Sequence, residues 1–98
     1  MKNLNDRNQF IFLQTIQALI NLKQNKVNVT NASKIRRTLE QTIHFFMSPI
    51  KLTKRISVNL QFLNNSGYLK QISGKNFTIP EDFIKKGVSI LEDFEQNP

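Results

Sequence analysis

Four side chains between residues 50 and 66 have the chemistry that binding a polyanion requires. Lys51, Lys54 and Arg55 carry positive charge, and Gln61 offers an amide that both donates and accepts hydrogen bonds. With about 100° between successive helical residues, Lys51, Lys54 and Gln61 point away from the apolar stripe of the same segment, and Arg55 lies on its flank. That stripe consists of Leu52, Ile56, Leu60 and Leu63. The pattern predicts a helix with one buried face and a cation-rich outer face.

More cations lie before and after this segment. Lys34, Arg36 and Arg37 fall mostly off the apolar stripe of a preceding helical pattern, and Lys75 stands in a Gly-Lys turn. Residues 1–80 contain twelve Lys or Arg against two acids, a net charge of +10, whereas residues 81–98 have a net charge of −3. A field of this sign attracts polyanions and accelerates their encounter. A solvated basic surface without a partner is the alternative interpretation.

The composition argues against an enzyme or a metal protein. The chain has no cysteine and one histidine, His44, which lies in an apolar run and is predicted to be a partly buried helix residue. The carboxylates gather near the C-terminal end without a paired setting, so we expect neither a catalytic residue nor a metal or other cofactor. No apolar run reaches the roughly 20 residues that a membrane span needs. We therefore expect a cytoplasmic protein with no small-molecule effector.

Periodicity and turn residues define the elements that position these side chains. Residues 9–24 are predicted to form a first helix, residues 27–29 a short strand, and Pro49 to begin a third helix. The second helical pattern begins at Ala32 and either continues to Met47 or breaks near Gln41. Gly67 ends the third helix, and residues 68–79 alternate as a β-hairpin around Gly74-Lys75, a pair that suits a type II′ turn. A last helix starts near residues 80–82.

This order of elements, α-β-α-α-β-β-α in one domain over residues 1–98, resembles the winged-helix variant of the helix-turn-helix family. The resemblance rests on Leu60, Leu63, Gly67, Tyr68 and Leu69, a pattern LxxLxxxGYL, and on the turn at residues 73–76. It implies a mainly α fold with a small β-hairpin (α+β), in which residues 9–80 form a DNA-binding core. In such proteins the third helix enters the major groove and the hairpin, or wing, lies against the flanking backbone. The second helical pattern is longer than in the usual motif, where about four residues separate the second and third helices.

Together the charge and the resemblance predict sequence-specific binding of double-stranded DNA. The chain would be a small transcriptional regulator, or an operator or centromere binder of a plasmid or phage. Val58 is expected to meet a thymine methyl group, and the cations to hold phosphates. The residues assigned to DNA binding are Lys51, Lys54, Arg55, Val58, Gln61, Lys75, Lys34, Arg36 and Arg37. A winged-helix protein–protein interaction module and RNA binding remain alternatives.

The last helix, over residues 81–95, is predicted to carry a dimer contact. Ile84, Val88 and Leu91 form an inner stripe, which leaves Phe83, Ile90 and Phe94 to the side. A helix buried on one face needs one stripe, so the second set predicts a homodimer through Phe83, Ile90 and Phe94. Winged-helix regulators commonly dimerise through terminal helices, and two-fold symmetry then matches a palindromic site.

Overall fold

The computed structural model describes residues 6–44 and 47–96. Within these ranges the chain is mainly helical with a small three-stranded antiparallel sheet, which confirms the α+β class and the order of elements. None of the helices in this part of the chain has the length and apolar content needed to span a bilayer. The elements are α1 (Asp6–Gln24), β1 (Val29–Thr30), α2 (Ala32–Glu40), α3 (Pro49–Asn65), β2 (Lys70–Ser73), β3 (Asn76–Thr78) and α4 (Phe83–Gln96).

Side-chain caps define the starts of α2 and α3. The Asn31 side chain accepts a hydrogen bond from the Lys34 amide at 3.0 Å, and Ser48 Oγ accepts one from the Lys51 amide at 3.2 Å. Each cap satisfies an amide that has no partner within the helix. Pro49 follows Ser48 at the first helical position, where its missing amide hydrogen costs nothing.

The second helix is short, because α2 ends at Glu40 and Gln41 caps it. Of the two expected alternatives, the break near Gln41 is therefore correct and the continuous helix to Met47 is wrong. His44 lies past the end of α2 and is exposed, so its prediction as a partly buried helix residue is also wrong. Met47 nevertheless packs against the core. Phe45 and Phe46, which the helical pattern included, lie outside the described residues.

Gly67 ends α3 as predicted, through a left-handed backbone conformation. Its φ is 85°, its amide donates to Asn64 O at 3.1 Å, and the Tyr68 amide donates to Leu63 O at 2.8 Å. This pair of hydrogen bonds is the Schellman motif, which satisfies the last carbonyl groups of a helix. The chain consequently turns sharply from α3 into β2.

The hairpin β2–β3 is part of a larger sheet with the strand order β1-β3-β2. Val29 pairs with Thr78 and Thr30 pairs with Phe77, so the short segment before α2 holds the hairpin against the body of the fold. The Asn64 side chain also accepts a hydrogen bond from the Gln71 amide at 2.9 Å, which ties β2 to the end of α3. The sequence predicted a short strand at residues 27–29, and the structure places it at Val29–Thr30; its pairing with the hairpin was not predicted.

The C-terminal helix packs on α1 through the face that the sequence assigned to a dimer. Phe83 is completely buried in the core, and Ile90 packs against it with partial exposure. Gly87 lies between them along the helix, and a Cβ placed there would approach Ile20 to 3.0 Å. The glycine lets α4 approach α1 closely, so the packed face of α4 centres on Phe83 and Gly87. Val88 lies away from this face and is 39% exposed.

The prediction of a dimer face through Phe83, Ile90 and Phe94 is corrected for Phe83, whereas Ile90 and Phe94 are partly exposed and their part in a dimer stays a prediction. Phe83 has no surface left to offer a second copy. Ile90 packs against the core, and the Phe94 ring lies 6.1 Å from the Phe12 ring of α1. Ile90 and Phe94 therefore make contacts within the chain, and each keeps part of its surface exposed.

Candidate nucleic-acid interface

A cleft of about 380 Å³ lies between the start of α2, one face of α3 and the β-hairpin. We call it the basic cleft, because Arg37, Lys54 and Lys75 line it and no acidic residue does. The three cations come from three different elements, so the fold gathers charge that is dispersed in the sequence. The full lining is Asn31, Ala32, Ser33, Arg37, Thr53, Lys54, Ser57, Gln61, Gln71, Gly74, Lys75 and Phe77.

The α3 wall of the basic cleft is polar along its whole length. Thr53, Ser57 and Gln61 recur every four residues, so they lie in one row, and Lys54 lies beside the first of them. Gln61 Nε2 donates to Asn65 Oδ1 at 3.3 Å, a surface contact that a ligand can replace. The hydroxyl and amide groups of this row donate and accept hydrogen bonds without adding charge.

The hairpin wall presents Lys75 on a turn that hydrogen bonds hold in place. Gly74 has a φ of 50°, a conformation that glycine adopts without steric cost. Gln71 Nε2 donates to Gly74 O at 2.6 Å across the turn, and a register shift between Gln71 and Ser73 marks a bulge in the ladder. The backbone that carries Lys75 is therefore held in a defined conformation by these contacts.

The third wall is the first turn of α2. Asn31, Ala32 and Ser33 line the cleft there, and Asn31 Nδ2 donates to Asn76 Oδ1 at 3.2 Å. This hydrogen bond joins the helix start to β3, and it fixes the spacing between two walls of the cleft. The helix dipole contributes additional positive potential at this end.

The predicted site residues divide into a group in the basic cleft and a group outside it. The cleft brings together Arg37, Lys54, Gln61 and Lys75. Lys34 and Lys51 are exposed but do not line it. Val58 is 50% exposed on α3, next to the cleft and not in it.

Two predicted arginines lie outside the basic cleft, and each is partly buried. Arg36 Nη1 lies 2.7 Å from Glu40 Oε1, so an acid already accompanies this charge. Arg36 lines a shallower hollow of about 250 Å³ together with Pro49, Ile50, Thr53 and Lys54. Arg55 is half-buried on the flank of α3, and its Nε atom is buried with no hydrogen-bond partner in the described part of the chain.

Several residues of this surface were not in the predicted set. Thr53 and Ser57 line the basic cleft, and Ile50 is 71% exposed in the first turn of α3. The signal for Thr53 and Ser57 was their spacing of four with Gln61. Ile50 falls off the Leu52, Ile56, Leu60 and Leu63 stripe, and this offset indicates an outward direction.

An aromatic cluster occupies the opposite flank of α3. The Phe62 ring meets the Phe12 ring edge-on with 6.0 Å between centroids, and Phe12 also contacts Phe94. Phe62 remains 55% exposed. It therefore packs against the first helix from the edge of the core, which explains why it lies off the stripe of its own helix.

The chain matches no family model, and neither a curated protein nor a solved structure matches it. Within residues 6–44 and 47–96, no group of three or more His, Asp or Glu side chains is arranged to hold a metal ion. The function of the basic cleft therefore has to follow from the chemistry of its own residues.

Proposed function

We propose that this chain is a winged-helix domain that binds double-stranded DNA in a sequence-specific manner. It would act in the cytoplasm as a small transcriptional regulator, or as an operator or centromere binder of a plasmid or phage. In this proposal α3 enters the major groove, and the β2–β3 hairpin is the wing that lies against the phosphate backbone.

The observation that carries the proposal is the convergence of cations in the basic cleft. Arg37, Lys54 and Lys75 reach one concave surface that contains no carboxylate. Phosphate contacts supply most of the affinity for a nucleic acid, and hydrogen-bonding side chains on a helix in the groove supply the reading of bases. Thr53, Ser57 and Gln61 provide such groups between the cations.

The topology gives independent support. β1 precedes α2 and pairs with β3, so α2 and α3 lie between the first strand and the hairpin, as the winged-helix resemblance implies. One difference from the usual motif persists, because residues 41–48 separate α2 from α3. The usual connection has about four residues.

The proposal is tested by selecting genomic or random duplex fragments with the purified chain and measuring their affinity by fluorescence anisotropy. We expect Lys54→Ala and Lys75→Ala each to weaken binding several-fold and to reduce the salt slope by about one phosphate contact. Lys85→Ala is the matched control, because Lys85 is exposed on α4, away from the cleft. It should leave both quantities nearly unchanged.

Two results would contradict the proposal. One is equal effects of Lys54→Ala and Lys85→Ala, since binding would then follow net charge and not the cleft. The other is tighter binding to single-stranded or duplex RNA of the same sequence, which would favour the RNA-binding alternative.

A protein–protein interaction module is the second candidate, and one observation favours it. Ile50, Val58 and Phe62 leave α3 with more exposed apolar surface than a purely phosphate-binding helix needs. In that case a partner protein would cover α3, and affinity would change little with added salt. The salt dependence therefore separates the two candidates.

The proposal includes a homodimer, as the winged-helix resemblance implies. Phe83 takes no part in it, because this side chain is completely buried in its own chain. Sedimentation velocity with and without a palindromic duplex tests this part. Two copies per duplex are expected, and a single copy on every selected duplex would contradict it.

A further inference from the structure

The outward face of α3 carries two large apolar side chains with a cation between them. Ile50 is 71% exposed and Val58 is 50% exposed, and Lys54 lies four residues from each. Residues separated by four lie in one row on a helix surface. We call Ile50, Lys54 and Val58 the outer ridge of α3.

The outer ridge differs chemically from the wall that α3 gives to the basic cleft. The wall consists of hydroxyl, amide and ammonium groups, whereas two of the three ridge residues are branched hydrocarbons. Within the described chain Ile50 remains 71% exposed and Val58 50% exposed, so a large part of each hydrocarbon side chain faces solvent. A binding partner on the outer surface of α3 would bury these two hydrocarbon side chains.

The charges around the outer ridge favour a nucleic acid as that surface. Lys54 is part of the ridge, Lys51 is exposed next to Ile50, and Arg37 and Lys75 line the adjoining cleft. In the major groove the apolar group that a base pair presents is the thymine C5-methyl. Gln61, on the same face, has the amide that pairs with adenine N6 and N7.

We infer that Ile50 and Val58 determine specificity by contacting thymine methyl groups, so that the target is a duplex rich in A·T pairs read from its major groove. This inference rests on the proposed DNA-binding function and adds the class of sequence that is read. Ile50 and Val58 favour thymine because they fit against its methyl group and exclude water from the contact. The cations on either side of the outer ridge bind the phosphates. Cytosine at the same step presents an amino group and no methyl, so the apolar contact is lost.

The test replaces thymine by deoxyuridine at every T of a selected duplex. This change removes the methyl groups and preserves base pairing, phosphate charge and the minor groove. Loss of one buried methyl changes an equilibrium about fourfold, so we expect the wild-type chain to bind the uracil duplex about fourfold more weakly per contacted methyl.

The variants Val58→Ala and Ile50→Ala connect the effect to the outer ridge. Each should weaken binding to the thymine duplex and respond less than the wild type to the uracil replacement, because the contact is already missing. Val88→Ala is the matched control, since Val88 is 39% exposed on α4 and distant from the site in the chain. All three sites are exposed, and thermal melting verifies that each variant folds.

The outcomes separate this inference from the function on which it rests. Equal affinity of the wild type for thymine and uracil duplexes, with Lys54→Ala still weakening both, overturns the methyl contact and leaves the DNA-binding function standing. Failure to bind any duplex at low salt overturns both. An undiminished uracil effect in Val58→Ala and Ile50→Ala also overturns the assignment of these two residues.

Discussion

Lys23 is a charged side chain that the fold buries and fully engages. Its side chain is 7% exposed, and its Nζ donates to Asn28 Oδ1 at 2.7 Å and to Glu81 Oε2 at 3.0 Å. These contacts connect the end of α1 to the segment before β1 and to the residues before α4. Burial of an ammonium group is unfavourable unless hydrogen bonds replace its contacts with water. The two hydrogen bonds of Lys23 therefore hold together the end of α1, the segment before β1 and the residues before α4.

Truncation of this lysine is expected to destabilise the fold. Lys23→Ala should lower the free energy of unfolding by about 1–3 kcal/mol, because it removes a charge-assisted hydrogen bond and the packed hydrocarbon stem. Glu81→Gln should cost much less, since the Glu81 side chain is 94% exposed and its ion pair is screened by water. Urea denaturation measures both values. Equal costs for the two variants would show that the ion pair, and not the buried contact with Asn28, provides the stabilisation.

Some residues of the candidate site were predictable one by one, and others were not. Lys54 and Gln61 were assigned outward because they oppose the leucine stripe, and both line the basic cleft. The ion pair of Arg36 with Glu40 was not predicted, although a spacing of four on one helix favours it. The flank position of Arg55 agrees with its partial burial, but the burial of its Nε atom without a hydrogen-bond partner had no signal in the spacing. Helical periodicity gives the direction of a side chain and its neighbours on the same helix, whereas the convergence of Lys54 with Arg37 and Lys75 depends on elements far away in the sequence.

At the scale of elements, the end of α3 depends on the left-handed conformation of Gly67. Gly67→Ala should cost about 1 kcal/mol, because a Cβ disfavours a positive φ and nothing else stands within 4 Å of the new atom. Gly67→Asn should cost less, since asparagine tolerates this region. Thermal denaturation of the two variants measures the difference. Equal melting temperatures for wild type and Gly67→Ala would contradict the role given to this glycine.

The contact between α1 and α4 depends on the absence of a side chain at Gly87. Gly87→Val should destabilise the fold by about 1–3 kcal/mol, because the added methyl groups press on Ile20, which a Cβ alone already approaches to 3.0 Å. Ser89→Val is the control for helix propensity, since Ser89 is exposed on the same helix. Chemical denaturation should show a much smaller cost for the control. A similar cost for both would mean that packing against Ile20 is not the cause.

The starts of α2 and α3 and the end of α3 were predictable because their signals are local, whereas α1 begins at Asp6 and not at residue 9 as predicted. Ser48-Pro49, Asn31 and Gly67 each act on neighbouring backbone groups, and the structure confirms their positions. The packed face of α4 was predicted in part: Ile84 and Leu91 pack against the core, whereas Val88 is 39% exposed. The burial of Phe83 was missed, because it depends on how closely Gly87 lets the helix approach Ile20. The sequence left two alternatives for the end of α2, because the apolar pattern continues past Glu40 whereas the helix does not.

For the whole molecule, the order of elements followed from the sequence, but the closure of the sheet did not. The short strand near Val29 was predicted, but its pairing with Thr78 joins segments about fifty residues apart and had no signal in the sequence. This pairing positions the hairpin and with it Lys75. The convergence of Arg37, Lys54 and Lys75 therefore depends on contacts that only the folded chain contains.

The salt dependence of duplex binding tests the central claim most directly. The measurement compares the wild type with Arg37→Ala/Lys54→Ala/Lys75→Ala and with a charge-matched control, Arg7→Ala/Lys85→Ala/Lys86→Ala. The logarithm of the binding constant falls by about 0.9 per phosphate contact against the logarithm of salt concentration. The cleft variant is expected to lose up to roughly 3 units of this slope, and the control should lose almost none. Equal loss of slope in the two variants would contradict the assignment of the basic cleft to DNA.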